Sequence, residues 1–247
     1  MPDAIECKQL NKSYGSHLVL RDVDLVVPEG GFFGLVGVNG SGKSTLIKSI
    51  LDLVAIDSGE INLFGKSHRQ VASRSQVAYL PDRFAPPPHL KCMDFIRYML
   101  ELHASGYSRD VIHGMLDALE LGRETLNASV KSLSKGMTQK LGIASCLLSG
   151  KSLLILDEPM SGLDPKARYL FKQQLFKLKR QGVTLFYSSH VLADVDELSD
   201  QMAVLHQSKI VFNGTTDAFK AAYHEDGLEA AYMKCVNEPA AVTATAT

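Results

Sequence analysis

The chain has 247 residues, enough for one large domain or two modest ones around a buried core. Its 26 basic and 27 acidic side chains nearly balance, so charge gives no case for nucleic acid as a main partner. Its uncharged stretches are too short to span a bilayer, and its four scattered cysteines lack metal-ligand or paired spacing, so we expect a reduced, cytosolic protein that does not cross a membrane.

Two strand-like segments open the chain, at residues 4–9 and 18–27, and the predicted turn between them carries Tyr14. An aromatic ring in that turn could stack on a purine base, but a tyrosine between strands is more often half-buried packing. The residues alone leave both interpretations open.

A glycine-rich loop, GVNGSGKST, follows at residues 37–45 and fits the pattern G-x-x-x-x-G-K-[ST]. An apolar run precedes it and helical apolar spacing follows it, which is the strand, loop and helix context that phosphate binding needs. Lys43 would reach the terminal phosphates, and the Ser44 hydroxyl would bind Mg²⁺. The loop therefore predicts a site for a nucleoside triphosphate.

A turn at residues 58–60 is predicted to lead into a short strand at 61–65. Another strand, at residues 77–80, ends abruptly at a proline that is followed by Asp82. Beyond Asp82 the composition changes, and the spacing of the apolar residues is no longer that of strands.

Apolar residues have helical spacing from residue 93 to about 150, which predicts an all-helical insertion in an otherwise α/β chain. The last helix of this insertion is predicted at residues 137–148, after Ser134 as its N-cap.

Four aliphatic residues at 153–156 predict a buried parallel strand, and Asp157 and Glu158 come directly after it. Ligands of open α/β sheets bind at this end of the strands, and buried carboxylates are costly without a partner. Asp157 is therefore a candidate Mg²⁺ ligand, and Glu158 is a candidate general base for an attacking water.

A turn at residues 161–165 and an amphipathic helix at 166–181 precede a second apolar strand at 183–187. His190 follows that strand, in a position that repeats the placement of the two carboxylates. A hairpin of two strands between residues 202 and 213 completes the predicted core.

The order of five motifs resembles the nucleotide-binding subunit of ATP-binding cassette (ABC) transporters, over roughly residues 3–215. The motifs are GVNGSGKST at 37–45, LSKGM at 133–137, LLILDEP at 153–159, SGLD at 161–164, and His190. The LSKGM segment, placed just before the second carboxylate motif, separates this family from other phosphate-loop ATPases.

This resemblance implies an α/β fold class, with a phosphate-loop NTPase core built on a RecA-like parallel sheet, an N-terminal antiparallel β subdomain and an inserted helical subdomain. Residues 1–215 would form the nucleotide-binding domain, with the helical insertion at about 83–150. Residues 216–237 would form a C-terminal helical extension, and 238–247 a disordered tail.

The resemblance also implies which residues contact ATP. Tyr14 would stack on adenine, residues 39–43 would wrap the β-phosphate, and Thr45 would touch the α-phosphate. The full set of loop residues is Gly37, Asn39, Gly40, Ser41, Gly42, Lys43, Ser44 and Thr45. Asp82 stands where the family usually has a glutamine that reaches Mg²⁺ or water.

Catalysis, in the same resemblance, belongs to Glu158, which would orient or deprotonate the water, and to His190, which would contact the γ-phosphate. Ser44 and Asp157 would hold Mg²⁺. Ser134 and Gly136 would present a helix N-terminus to the γ-phosphate bound by a second subunit, and Asp164 would link the two sites.

The implied function is ATP hydrolysis by a transporter subunit, which works on the cytoplasmic side of a membrane with a separately encoded permease. Asp82 and LSKGM resemble the cassettes of exporters. The second nucleotide-binding subunit would be another copy of this chain or a different cassette. Two alternatives stay open: a soluble ABC ATPase without a permease, such as one for cluster assembly, and a regulatory subunit without turnover, against which Glu158 and His190 argue.

Overall fold

The structure is a computed structural model, and it describes residues 3–106 and 108–237. The tail predicted at 238–247 lies outside the described residues. The chain divides into two compact units: the first combines the N-terminal part up to Ser75 with the part from Thr184 onward, and the second runs from Gln76 to Val183. Within the described ranges, no helix is long and apolar enough to cross a membrane.

The N-terminal part of the first unit contains an antiparallel sheet and the first strand and helix of an α/β layer. Its elements are β1 (Asp3–Tyr14), β2 (His17–Pro28), β3 (Phe32–Val36), α1 (Lys43–Ile50), β4 (Ser58–Leu63) and β5 (Lys66–Ser67). The order β2-β1-β4-β5 makes a four-stranded sheet in which all neighbours are antiparallel. This sheet matches the N-terminal antiparallel β subdomain that the resemblance implies.

Two boundaries in this sheet differ from the predictions. Tyr14 is the last residue of β1 and pairs with His17, so it lies beside the turn and not within it. The turn predicted at residues 58–60 is wrong: Ser58 pairs with Asn11 and Glu60 with Lys8 on β1. Cross-strand pairing has overridden the local turn preference of the Ser-Gly sequence.

The second unit combines helices with two parallel strands. Its elements are β6 (Val77–Leu80), α2 (Cys92–Leu102), α3 (Arg109–Ala118), α4 (Lys135–Leu147), β7 (Leu153–Leu156) and α5 (Pro165–Lys179). The stretch between α3 and α4 is not α-helical, because it contains 3₁₀ turns at Arg123–Asn127 and Val130–Ser132. A common apolar core joins α2, α3 and α4, with Phe95, Ile112 and Leu141 among its buried residues.

The C-terminal part of the first unit completes its α/β layer. Its elements are β8 (Thr184–Ser189), α6 (Leu192–Leu198), β9 (Gln201–His206), β10 (Lys209–Gly214), α7 (Thr216–Ala222) and α8 (Leu228–Asn237). β3 lies between β8 and β9 and is parallel to both, while β10 is antiparallel to β9. All five residues of β3 are buried, as expected for a parallel strand covered on both faces.

Helix α1 is fixed to the first unit by its apolar side, where the Leu46 side chain is 0% exposed. We expect Leu46→Ala to lower the free energy of unfolding by about 2–5 kcal/mol, since it removes buried methyl groups and leaves a cavity. Leu53, just beyond the helix, is 60% exposed, and Leu53→Ala should change stability by less than about 0.5 kcal/mol. Urea unfolding followed by circular dichroism measures both, and equal losses in the two variants would contradict this packing.

Candidate functional site

The parallel strands of the first unit bring two predicted site segments to one edge. Val36 at the end of β3 is in register with Ser189 at the end of β8 and with Val204 on β9. The loop at residues 37–45 and His190 therefore both leave the sheet at its carboxyl edge, where ligands of α/β sheets bind. His190 is exposed there.

The path of the loop depends on the absence of a side chain at its first residue. A Cβ atom at Gly37 would lie 2.5 Å from Ser41 Oγ and 2.6 Å from the Leu205 carbonyl oxygen. The Ser41 N–H then donates to the Val38 carbonyl at 3.1 Å, which closes a tight turn. Only glycine fits at position 37 without moving β9 or this turn.

Lys43 is held inside the loop by the loop's own carbonyl groups. Its ammonium donates to the Gly37 carbonyl at 2.7 Å and to the Val38 carbonyl at 3.3 Å, and the residue is only 6% exposed. A buried ammonium needs such oxygen partners, because its desolvation is costly. The positive charge is therefore fixed where an anion cradled by the loop would meet it.

Helix α1 begins at Lys43, and its N-terminus suits an anion. No side chain caps the helix within the described residues, and its first turn contains no acidic residue. The first N–H groups of a helix have no partner within the helix, and the helix dipole adds partial positive charge there. Ser44 and Thr45 lie in this first turn and are partly buried.

Tyr14 presents its ring at the surface of the first unit. The residue is 51% exposed, and the ammonium of Lys12 lies 5.2 Å from the centre of the ring. The residue is thus about half exposed, which fits half-buried packing and also leaves the ring accessible for stacking, so the stacking role stays a prediction.

The predicted carboxylates lie at the ends of β6 and β7 in the second unit. These strands pair in parallel, and the N–H of Asp157 donates to the Leu80 carbonyl at 2.8 Å. Asp157 is 1% exposed, whereas Asp82 is exposed. Burial, followed by the charges of Asp157 and Asp82, raises the pKa of Tyr79 to about 12, which places both carboxylates near the same phenol.

Glu158 has an unusual backbone conformation. Its φ angle is 48°, in the left-handed region that non-glycine residues seldom adopt. Such strained residues are found most often at functional sites, where the surrounding structure holds them in place. The chain turns at Glu158 immediately after the buried Asp157.

Ser134 and Gly136 lie at the start of α4. As predicted, Ser134 is the N-cap, and its Oγ accepts a hydrogen bond from the Met137 N–H at 3.2 Å. Ser134 is exposed, and the first turn of α4 has no acidic residue. This helix start, like that of α1, therefore suits an anion.

Close contacts join the start of α4 to the segment after Glu158. A Cβ atom at Gly136 would come within 3.5 Å of the Gly162 carbonyl, and the Gln139 side chain donates to the Pro159 carbonyl at 2.9 Å. Gln139 lies outside the predicted motifs, and its burial is visible only in the structure.

Asp164 is the N-cap of α5, where its Oδ1 accepts from the Ala167 N–H at 2.8 Å. Capping is a sufficient structural reason for an aspartate at this position. Its side chain is exposed, so the predicted link to a second subunit stays a prediction.

Comparison with known proteins agrees with this geometry. The sequence profile of the family described as "ABC transporter" matches residues 20–161. The chain belongs to the ABC transporter family. Its predicted resemblance to ATP-binding subunits is confirmed by a solved structure of an ATP-binding subunit of an ABC transporter, with 29% identity and a TM-score of 0.86 over 94% of this chain and 98% of the other. The predicted α/β fold class is confirmed by the same match.

Several curated relatives of this ABC protein are ATP-binding proteins of transporters. The lantibiotic transport ATP-binding protein SrtF of Streptococcus pyogenes is 33% identical over 86% of this chain and 91% of its own length. An uncharacterized ABC transporter ATP-binding protein of Bacillus subtilis, YhaQ, is 34% identical over 87% of this chain and 72% of its own length. The chain spans only 56% of a Synechocystis relative that is 35% identical over 199 residues.

The close contacts around Gly37 make a direct prediction for ATP binding. Gly37→Ala should weaken ATP binding at least about tenfold, since the added Cβ displaces Ser41 or the Leu205 carbonyl and so opens the loop. Calorimetric titration with ATP measures the effect. Gly114→Ala is the matched control, because no atom lies within 4 Å of its added Cβ, and ATP affinity should not change. Equal affinities in the two variants would contradict the described loop.

Proposed function

We propose that this ABC protein binds and hydrolyses ATP with Mg²⁺ and so powers export of a substrate through a separate membrane permease. The observation that carries the proposal is the Lys43 ammonium, held by two loop carbonyls at the uncapped start of α1. A fixed cation and a set of N–H groups form a phosphate site, and the lysine side chain reaches the terminal phosphates of a nucleotide.

The remaining nucleotide contacts are assigned from the resemblance to the family. The exposed Tyr14 ring stacks on adenine, the loop residues Asn39, Gly40, Ser41 and Gly42 wrap the β-phosphate, and Thr45 touches the α-phosphate. The buried carboxylate of Asp157 suits a hard cation with oxygen ligands, so Asp157 and the Ser44 hydroxyl are the residues we assign to Mg²⁺. The ion would neutralise phosphate charge.

Glu158 and His190 are the residues we assign to catalysis. The left-handed backbone of Glu158 is of the kind that clusters at functional sites, and we assign its carboxylate to orient or deprotonate the attacking water. The exposed His190 contacts the γ-phosphate from the carboxyl edge of β8. Asp82 takes the place of the family's glutamine near Mg²⁺ or water.

A complete site needs a second subunit in this proposal. The start of α4, with Ser134 and Gly136, offers its N–H groups to the γ-phosphate bound by the other cassette, and Asp164 links the two sites. ATP then draws two cassettes together, and hydrolysis lets them separate. The exposed position of Ser134 at the helix start supports this role.

Transport is assigned from the relatives. They include a lantibiotic transport protein, a bacitracin transport protein and a Nod factor export protein, each named as an ATP-binding protein. We assign residues 1–215 to the nucleotide-binding domain and 216–237 to a C-terminal extension. The helical insertion, at about 83–150, receives the permease, which holds the protein at the cytoplasmic face of the membrane.

Glu158→Gln tests the catalytic assignment. The amide keeps the shape of the side chain but cannot accept the proton, so ATP turnover should fall by about 10²–10⁴-fold while ATP still binds. Light scattering should then detect a dimer that forms only with ATP. The exposed Glu229 on α8 provides the control, because Glu229→Gln should retain wild-type turnover. A Glu158→Gln protein with unchanged phosphate release would refute the assignment.

Mixing two inactive variants tests the shared site. Lys43→Ala should disable the phosphate loop, and Ser134→Arg should block the start of α4, so neither homodimer should hydrolyse ATP. A mixed dimer of identical chains keeps one intact site, and the mixture should regain about a quarter of wild-type activity if the sites are independent.

No recovery on mixing, with both variants folded and the wild type active alone, would argue that one chain carries a complete site. A wild type that becomes active only with a different cassette would replace the homodimer by a heterodimer.

A further inference from the structure

The last residues of β1 extend beyond the pairing with β4. That pairing ends at Asn11, which lies opposite Ser58, whereas β1 continues to Tyr14. On its other side β1 still pairs with β2, but the register of this pairing shifts both before and after Lys12. Such shifts disrupt a ladder locally and bend the strand. The strand end that carries Tyr14 therefore has a regular ladder on neither side.

Asp57, the residue just before β4, makes contacts with β1 where the pairing with β4 ends. Its carboxylate accepts a hydrogen bond from the Ser13 N–H at 2.6 Å, and its own N–H donates to the Asn11 carbonyl at 2.9 Å. The Lys12 ammonium also donates to this carboxylate, at 3.2 Å. The Ser13 hydrogen bond above all, and then the Lys12 ammonium, lower the pKa of Asp57, so the carboxylate is charged at neutral pH. Asp57 thus holds the strand end from the side that β4 leaves open.

Lys12 connects Asp57 to the ring of Tyr14. Its ammonium lies over the ring, 5.2 Å from the ring centre, and only 12% of its side chain is exposed. A cation over the face of an aromatic ring is attracted to that face. Because Asp57 holds the ammonium on one face of the ring, the opposite face is the one that can receive a base.

We propose that Asp57 positions the Tyr14 ring for the base of the nucleotide, by holding the strand end and the ammonium over the ring. This inference rests on the proposed function, in which Tyr14 stacks on adenine. Asp57 is a positioning residue, because it acts through Ser13 and Lys12. It sets the affinity for the nucleoside part and not for the phosphates, since Lys43 is held separately by carbonyls of its own loop.

The experiment compares the binding of ATP and of inorganic tripolyphosphate, each with Mg²⁺, by calorimetric titration of the full chain. Tripolyphosphate reports on the phosphate site alone, so the ratio of the two affinities isolates the contribution of the nucleoside. Tyr14→Ala should weaken ATP binding about tenfold, because stacking of a base on one aromatic ring contributes on this scale. Asp57→Ala should weaken ATP binding about fivefold, and neither variant should alter tripolyphosphate binding. The double variant should lose no more than Tyr14→Ala alone, because Asp57 acts through this ring.

Asp24→Ala is the matched control. Asp24 and Asp57 are both exposed, and the Asp24 carboxylate also accepts a hydrogen bond from a β1 backbone N–H, that of Gln9 at 2.8 Å. Gln9 lies in the middle of β1 and not at its end. Asp24→Ala should therefore bind both ligands as the wild type does. A loss of ATP affinity equal to that of Asp57→Ala would overturn the inference, since it would show general damage to the sheet.

Other outcomes separate this inference from the proposed function. If Tyr14→Ala weakens ATP binding and Asp57→Ala does not, the positioning role is overturned and the proposed function stands. Equal losses for ATP and tripolyphosphate in Asp57→Ala would also overturn the role, because the phosphate site would then be affected. Unchanged ATP affinity in Tyr14→Ala would remove the stacking and the inference with it, and a wild type that binds neither ligand would overturn the proposed function as well. If Asp57→Ala does not fold, Asp57→Asn, which keeps the size of the side chain and removes its charge, is judged by the same ratio.

Discussion

The contact between the Lys43 ammonium and the carbonyls of Gly37 and Val38 is the constraint on which the glycine-rich loop at residues 37–45 depends. A nearly buried ammonium is tolerated only with close oxygen partners, and the loop must curl tightly to supply them. That curl requires glycine at position 37, because β9 and Ser41 leave no room for a Cβ atom. The parallel pairing of β3 between β8 and β9 then fixes where the loop begins.

The start of α4, which we propose to contact phosphate, has the same physical features as the start of α1. Both α1 and α4 begin with glycine or serine at the N-cap and lack acidic residues in the first turn. Different contacts hold the two helix starts in place. The start of α1 is held by Lys43 and by its close approach to β2 and β9, whereas the start of α4 is held by contacts of Gly136 and Gln139 with the segment after Glu158. In the part of the chain that the structure describes, each unit thus has a helix start whose chemistry suits an anion.

The sequence predicted the features that depend on neighbouring residues. The glycine loop, the capping serine of α4 and the carboxylates after β7 are local patterns whose chemistry depends on a few adjacent positions, and the structure has the predicted elements there. The predicted turn at residues 58–60 failed because pairing with β1 is a contact distant in the chain. The hydrogen bond from Gln139 to the Pro159 carbonyl joins two segments that are separate in sequence, and Gln139 lies outside the recognised motifs.

The same dependence on distant contacts explains why the sequence of the C-terminal helix α8 does not predict which elements it packs against. Helix α8 has an ordinary amphipathic pattern, and such a face only indicates that something is covered. The structure shows what is covered, because α8 packs against α6 and α7 within the first unit and buries Leu228, Ala231, Tyr232 and Cys235. Helix α6 begins at Leu192, two residues after His190, so α8 supports an element that follows one of the predicted site residues.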